Sequence, residues 1–127
     1  PIMSGVPRNI GIDNASYEWI TYLDTDDMYL PSYLEWIVAN LGEKNWYYVN
    51  DIVFSGDSWT TRQCNINKFG GCGTSNIVHK KGVYWKERPD YGHDWVFIKR
   101  LKDMWPDYEH IAIQGYVVMH IPNRYDK

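Results

Sequence analysis

The stretch "YLDTDDMYLP", residues 22 to 31, gathers Asp24, Asp26 and Asp27 into four positions directly after an apolar run. In an extended segment residues i and i+2 point to the same side, so Asp24 and Asp26 can aim two carboxylates at one point beyond a strand's end. Carboxylate oxygens are the donors that hard Mg2+ or Mn2+ ions prefer, and such an ion commonly keeps waters while also binding substrate phosphates. The competing reading is an Asp-rich turn whose side chains cap local backbone N–H groups. A further acid, Asp94 in "YGHDW", falls at or near the first turn of an expected helix. Free N–H groups and the helix dipole stabilise a carboxylate there, which suits a general base or a plain helix cap. His120, in "VVMHIPNR", ends an expected strand just before Pro122. A neutral imidazole at such an edge can be a third metal ligand or a merely structural or solvated side chain.

Strands and helices must hold these groups. Pro7 has no N–H to leave unpaired, so it suits the first turn of a helix over residues 7 to 16, with Ile10, Ile12 and Ala15 on or near its buried side. Gly11 weakens that helix. "EWITYL", residues 18 to 23, reads as a strand ending at Asp24. A second helix is expected from Pro31 to Leu41, with Tyr33, Leu34, Ile37, Val38 and Leu41 at helical spacing and Gly42 as its stop. "WYYVNDIVF", residues 46 to 54, reads as another strand, and polar, Gly-rich residues 55 to 71 as a long surface loop.

"GTSNIVHKK" reads as a strand and "RPDYG" as a loop. "HDWVFIKRLKDMW" then sets Trp95, Ile98, Leu101 and Trp105 along one side of an amphipathic helix ended by Pro106. "IAIQGYVVMHI" closes as one interrupted strand or two short ones. The order is an α/β pattern with a mixed sheet.

Composition narrows the function classes. A chain of 127 residues suits one domain, and its 44% apolar and 23% charged shares are those of a soluble globular protein. Seven Trp and eleven Tyr suit both a core and a site that stacks on sugars or bases. Net charge is −3, and the longest basic run is His79-Lys80-Lys81, which argues against a nucleic-acid partner held through its backbone. No stretch reaches the length of a transmembrane helix, and "PIMSGVPRN" reads as loop without a leader pattern. A disulfide between Cys64 and Cys72 is geometrically possible, but two reduced thiols in a cytoplasmic protein are the expectation.

Taken in order, these segments resemble the inverting family 2 glycosyltransferases with the GT-A fold. The likeness starts at "PRNIGIDNASYEWITYLDTDDMYLPSYLEW", similar to the family's Arg-Asn, Gly, small residue, strand, acidic D-x-D and helix-opening Pro. It resumes at "GTSNIVHKKGVYW" and "RPDYGHDWVFIKRL", which look like the acceptor-side strand and the stretch that supplies the catalytic base, with His93 where the family usually has an acidic residue. Residues 55 to 71 match nothing in detail, and the likeness begins partway through the fold, without the N-terminal nucleotide-binding segment. Residues 1–127 are therefore expected to be one small GT-A-like domain or its C-terminal catalytic portion. A missing sheet edge would make a homodimer easier to understand.

The resemblance implies a metal-dependent, hexosyltransferase-like enzyme that moves sugar from a nucleotide-diphosphate donor, a UDP-sugar, to a carbohydrate or other hydroxyl acceptor. Asp24 would face the donor's ribose or the metal. Asp26 would ligate Mn2+ or Mg2+, with Asp27 in support and His120 as a further ligand. Arg8 and Asn9 would lie near the donor, and Asp94 would be the base. Trp85, Tyr91 and Trp95 could pack on acceptor sugar rings, with core packing an equal alternative for Trp95. The alternative is a non-catalytic carbohydrate- or nucleotide-binding module on the same fold.

Overall fold

The structure is a computed structural model that describes residues 5–86 and 92–120, with the backbone alone at His120. It runs α1 (Gly5–Asn14), β1 (Trp19–Ile20), β2 (Met28–Tyr29), α2 (Tyr33–Asn40), β3 (Trp46–Ser55) and β4 (Ser58–Arg62). A 3-10 turn (Thr74–Asn76), β5 (Ile77–Lys80), α3 (His93–Met104) and β6 (Glu109–His120) follow. The strands make one mixed sheet ordered β1-β5-β3-β6-β2, with β4 also paired to β3. Only the β3–β6 pairing is parallel among these ladders.

Alternation along β3 and β5 divides the interior in two. Trp46 and Ile77 enter one core, with Ile12 of α1 and Phe97, Ile98 and Leu101 of α3. Tyr47, Val49 and Val78 enter the other, with Tyr33 and Ile37 of α2. Successive strand residues face opposite ways, so each strand serves both cores and helices cover both faces of the sheet. Among the described residues, no helix is long and apolar enough to cross a membrane.

Several elements depart from the expected pattern. Ile12 is buried on α1 but Ile10 is 56% exposed, and on α2 only Tyr33 and Ile37 are buried while Leu34 and Val38 face water. The buried stripe of α3 is Phe97, Ile98 and Leu101, with Trp95 only partly covered and Trp105 beyond the helix end. Residues 55 to 71 are no simple loop. Gly56, at φ 72°, and Asp57 turn β3 back into β4, so that Phe54 pairs with Trp59 and Asp51 with Arg62.

Beyond β4, Cys64 and Cys72 are joined in a disulfide with Cα atoms 5.1 Å apart, against the expectation of free thiols. The hairpin brings the chain back towards β3, where Asn50 Oδ1 accepts the Cys64 N–H at 3.1 Å. The first part of "GTSNIVHKK" is the 3-10 turn rather than strand. Asn76 explains this: its Oδ1 accepts the Gly73 N–H at 2.8 Å and its Nδ2 donates to the Val49 carbonyl at 2.8 Å. Such side-chain bonds compete with a ladder for backbone groups.

β6 is one strand, broken by bulges opposite Val49, Asn50 and Ile52. The bulge region contains Gly115, where an added Cβ would come within 2.2 Å of the Tyr33 ring, so only glycine admits α2 this close.

Candidate functional site

The acidic segment is shaped by hydroxyl groups. β1 pairs through only two residues, Trp19 and Ile20, although the sequence suggests a longer strand. Beyond it, the Tyr29 hydroxyl donates to the Tyr22 carbonyl at 2.9 Å, and the Asp24 N–H donates to Tyr116 Oη at 3.1 Å. The turn closes with the Asp27 N–H on the Asp24 carbonyl, 3.1 Å away. Tyr116 then donates its hydroxyl proton to Asp27 Oδ2 at 2.7 Å, while Asp27 Oδ1 accepts the Met119 N–H at 3.1 Å. The Asp27 carboxylate is thus tied to β6, where it accepts a backbone N–H 92 residues away rather than the local one that the turn reading expects.

Asp24 has a different setting. It lies at the surface, yet neighbouring atoms displace enough water to raise its carboxyl above the usual range. Arg8 partly offsets this desolvation, and the charges of Asp27, Asp26 and Asp94 add to the rise. The charges of Arg8, Asp26, Asp27 and Asp94 thus all bear on the Asp24 carboxyl. Among the described residues, no group of three or more His, Cys, Asp and Glu side chains could hold a metal by itself. The side chain of His120 and all of Tyr91 lie outside the described residues.

Arg8 and Asn9 occupy adjacent positions with separate tasks. The Arg8 guanidinium lies over the Trp85 ring, 4.4 Å from its centroid. Asn9 donates Nδ2–H to the Trp85 carbonyl at 2.9 Å and accepts the Trp85 N–H on Oδ1 at 2.7 Å. In α1 only Gly5 and Ile12 are buried, so this two-bond clasp has a large share in placing the helix, and Arg8 with it. A cleft of about 320 Å3 runs between α1 and β1, lined by Arg8, Ile12, Trp19 and Tyr22 among others.

Asp94 sits in the first turn of α3, but it is not the cap. Gly92 takes that position in the left-handed region, φ 99°, with no side-chain cap bond. Instead Asp94 Oδ1 accepts the hydroxyl proton of Thr74 at 2.6 Å, from the buried 3-10 turn. At Gly73 an added Cβ would lie 3.7 Å from Asp94 Oδ2, an ordinary contact that places this oxygen beside Gly73.

Two adjoining depressions meet at Asp94. One, of about 140 Å3, is lined by Phe69, Gly70, Cys72, Gly92, Asp94 and Trp95. The other, of about 160 Å3, is lined by Arg62, residues 70–73 and Asp94.

A hydrogen-bonded relay braces the core behind Arg8. Trp85 Nε1–H donates to Tyr22 Oη at 3.0 Å, and Tyr22 Oη lies 2.7 Å from His79 Nε2. His79 Nδ1 is 2.7 Å from the Lys80 carbonyl, an acceptor only, so Nδ1 carries the proton and Nε2 accepts from Tyr22. Burial lowers the His79 pKa to about 4 and pushes the Tyr22 phenol up to about 12.

Sequence reasoning alone misses Thr74, Arg62, Tyr116 and Phe69. Arg62 had a usable signal, since Gly56-Asp57 between β-prone runs marks a two-residue hairpin. Tyr116 had none, because its partners Asp24 and Asp27 lie 92 and 89 residues away.

Residues 5–119 match the family model for glycosyl transferase family 2. No curated protein matches the chain significantly.

Proposed function

The chain belongs to glycosyl transferase family 2, and from that premise we propose that it transfers a sugar from a nucleotide-diphosphate donor, a UDP-sugar, to an acceptor hydroxyl with inversion. Its mixed sheet between helices is a small GT-A-like arrangement. The observation that carries the proposal is the bearing of the Arg8, Asp26 and Asp94 charges on the Asp24 carboxyl. It joins a site for the donor's phosphates to a candidate base.

Asp94 is the base. Thr74 holds Oδ1, which leaves Oδ2 beside Gly73 to take the acceptor's proton. As the hydroxyl oxygen bonds to the anomeric carbon, the bond from that carbon to the phosphate oxygen breaks. Its electron pair leaves with the nucleoside diphosphate.

The acids suit a cation. Desolvation raises the Asp24 carboxyl, Arg8 lowers it and the charges of Asp27, Asp26 and Asp94 raise it further; a bound dication would favour its charged form. When bound by Asp24 and Asp26, with His120 as a further ligand, Mn2+ or Mg2+ supplies neutralisation of the leaving diphosphate without a proton donor. Arg8 adds a fixed positive charge on the same side. Asn9 acts one step back, by fixing the helix that carries Arg8.

The test is donor turnover with Mn2+ present. Nucleoside diphosphate release from a UDP-sugar should be measurable in the wild type and abolished in both Asp26→Ala and Asp94→Asn. Metal-dependent nucleotide binding with no release in the wild type would instead identify a non-catalytic module. No effect of metal or nucleotide on melting temperature would refute both readings.

A further inference from the structure

The cleft floor around Asp94 is polar at one end and aromatic at the other, and both ends carry a cation. At one end stands Arg62. Its Nε–H and Nη2–H donate to Asp51 Oδ1 and Oδ2 at 2.8 and 2.6 Å, a two-pronged pairing. Asp51 is fully buried behind the pair, whereas the Arg62 side chain is 53% exposed. Asp51 also lies 3.3 Å from Asn76 Nδ2, so its charge is met from the protein side. A guanidinium has five N–H groups, and among the described residues Asp51 takes two of those on Arg62. Arg62 also lines the depression it shares with Asp94, so an edge of its guanidinium borders that space.

At the other end Phe69 and Trp95 meet edge to face with ring centroids 6.0 Å apart. Phe69 is 64% exposed, and its ring packs on Gly92, where an added Cβ would lie 3.3 Å from it. Lys99 Nζ stands 5.4 Å from the Trp95 ring centroid. Phe69 owes its place to the loop closed by the Cys64–Cys72 disulfide and by the Asn65 N–H on the Gly71 carbonyl at 3.0 Å. An aromatic held in water on a braced loop, with a carboxylate at its inner edge, is a platform for the apolar face of a sugar ring.

We propose that this cleft binds an acceptor sugar carrying an anionic substituent, with the ring on Phe69 and Trp95, a hydroxyl at Asp94 and the carboxylate or phosphate on the guanidinium of Arg62. The inference rests on the reading of Asp94 as the acceptor base. It adds the charge class of the acceptor and the residues that select it. A guanidinium anchored by a buried carboxylate loses little freedom on binding an anion, and the fork geometry suits carboxylate and phosphate alike. A neutral sugar would leave that edge to water and gain nothing from it.

The experiment is saturation-transfer NMR on the full chain with methyl β-glucuronide, glucose 6-phosphate and methyl β-glucoside as probes, without donor or metal. The glucuronide, the phosphate or both should bind about five-fold or more tightly than the glucoside, and the two arms tell carboxylate from phosphate. Phe69→Ala should weaken all probes, and Arg62→Gln should erase the anionic preference. Because Arg62→Gln leaves Asp51 buried without its partner, Arg62→Lys serves as the milder variant and should reduce the preference while keeping the fold. Equal binding of charged and neutral probes, or a preference that survives in folded Arg62 variants, overturns the inference. If the preference holds but no Asp94-dependent transfer is found, glycosyl transfer fails and the anionic subsite stands. If transfer holds and the preference is absent, this inference alone fails.

Discussion

The buried hydroxyl of Thr74 lies 2.6 Å from Asp94 Oδ1, joining a 3-10 turn to the first turn of α3 across 20 residues. On the proposed reading this bond orients the base, and among the described residues it is made by Oδ1, with Oδ2 as the oxygen proposed to meet the acceptor. Thr74→Val keeps the shape and removes the donor. Hydrogen bonds to charged groups contribute about 1.5–3 kcal/mol, so the transfer rate should fall by about ten-fold or more. Thr74→Ser should restore most of it. Measuring kcat beside the acceptor KM and the melting temperature separates a misaligned base from an unfolded turn. A Thr74→Val protein as fast as wild type would show the bond to be idle in catalysis.

Tyr116 organises the acidic turn with a single oxygen, which accepts from the Asp24 N–H and donates to Asp27. Tyr116→Phe deletes both bonds with almost no change of volume. The loss leaves the Asp27 carboxylate short of a donor, and stability should drop by about 1–3 kcal/mol in urea unfolding. Mn2+ affinity, followed by calorimetry with UDP present, should fall as Asp24 loses its anchor. Unchanged values in both measurements would mean that the turn holds its shape without the phenol.

These two bonds also mark the limit of what the chain discloses one residue at a time. Asp24, Asp26 and Asp94 stand out as candidates because the features that mark them are local: an apolar run, an acidic turn, a helix start. The α/β order is legible for the same reason, since periods of two and of about 3.6 are local properties. The short β1 is not. Its continuation is held by phenols of Tyr29 and Tyr116, which satisfy backbone groups that a neighbouring strand would otherwise pair. Nor is the exposure of Leu34 and Val38, whose helical spacing with Tyr33 and Ile37 suggests one wide buried face. Gly115 lets α2 approach through Tyr33, and only that stripe reaches the sheet.

The Cys64–Cys72 bond closes a short loop, with the cysteines 8 residues apart. On the chain-entropy account a loop of this size contributes about 2–3 kcal/mol to stability. Treatment with a dithiol, or the Cys64→Ser/Cys72→Ser double change, should lower the urea midpoint accordingly. It should also weaken probe binding at Phe69 more than it alters nucleotide binding near Arg8. The loop retains its Lys102 contacts, Nζ to the Ile66 carbonyl at 3.0 Å and to Asn67 Oδ1 at 2.9 Å, so the overall fold should survive. Equal urea midpoints with and without dithiol would show that the bond adds nothing to stability.

His79 links the Tyr22–Trp85 relay to pH. Its imidazole is fully buried and neutral, with a pKa lowered to about 4 by desolvation, against an ordinary value of 6.5 in the unfolded chain. Between those values the unfolded chain binds a proton that the folded one refuses, so acid favours unfolding. The contribution to stability is complete above the unfolded pKa and is lost as the pH falls towards 4. Between pH 7 and pH 5, the loss should be about 2 kcal/mol. The raised carboxyl of Asp24 acts in the opposite sense, since the folded state holds its proton more readily, so the His79 contribution is read as the difference between wild type and His79→Gln. Urea unfolding at several pH values across the window should show the slope in wild type and its disappearance in His79→Gln, whatever that variant costs in absolute stability. A slope retained in His79→Gln would assign the acid sensitivity to other groups and leave the relay without a titrating member.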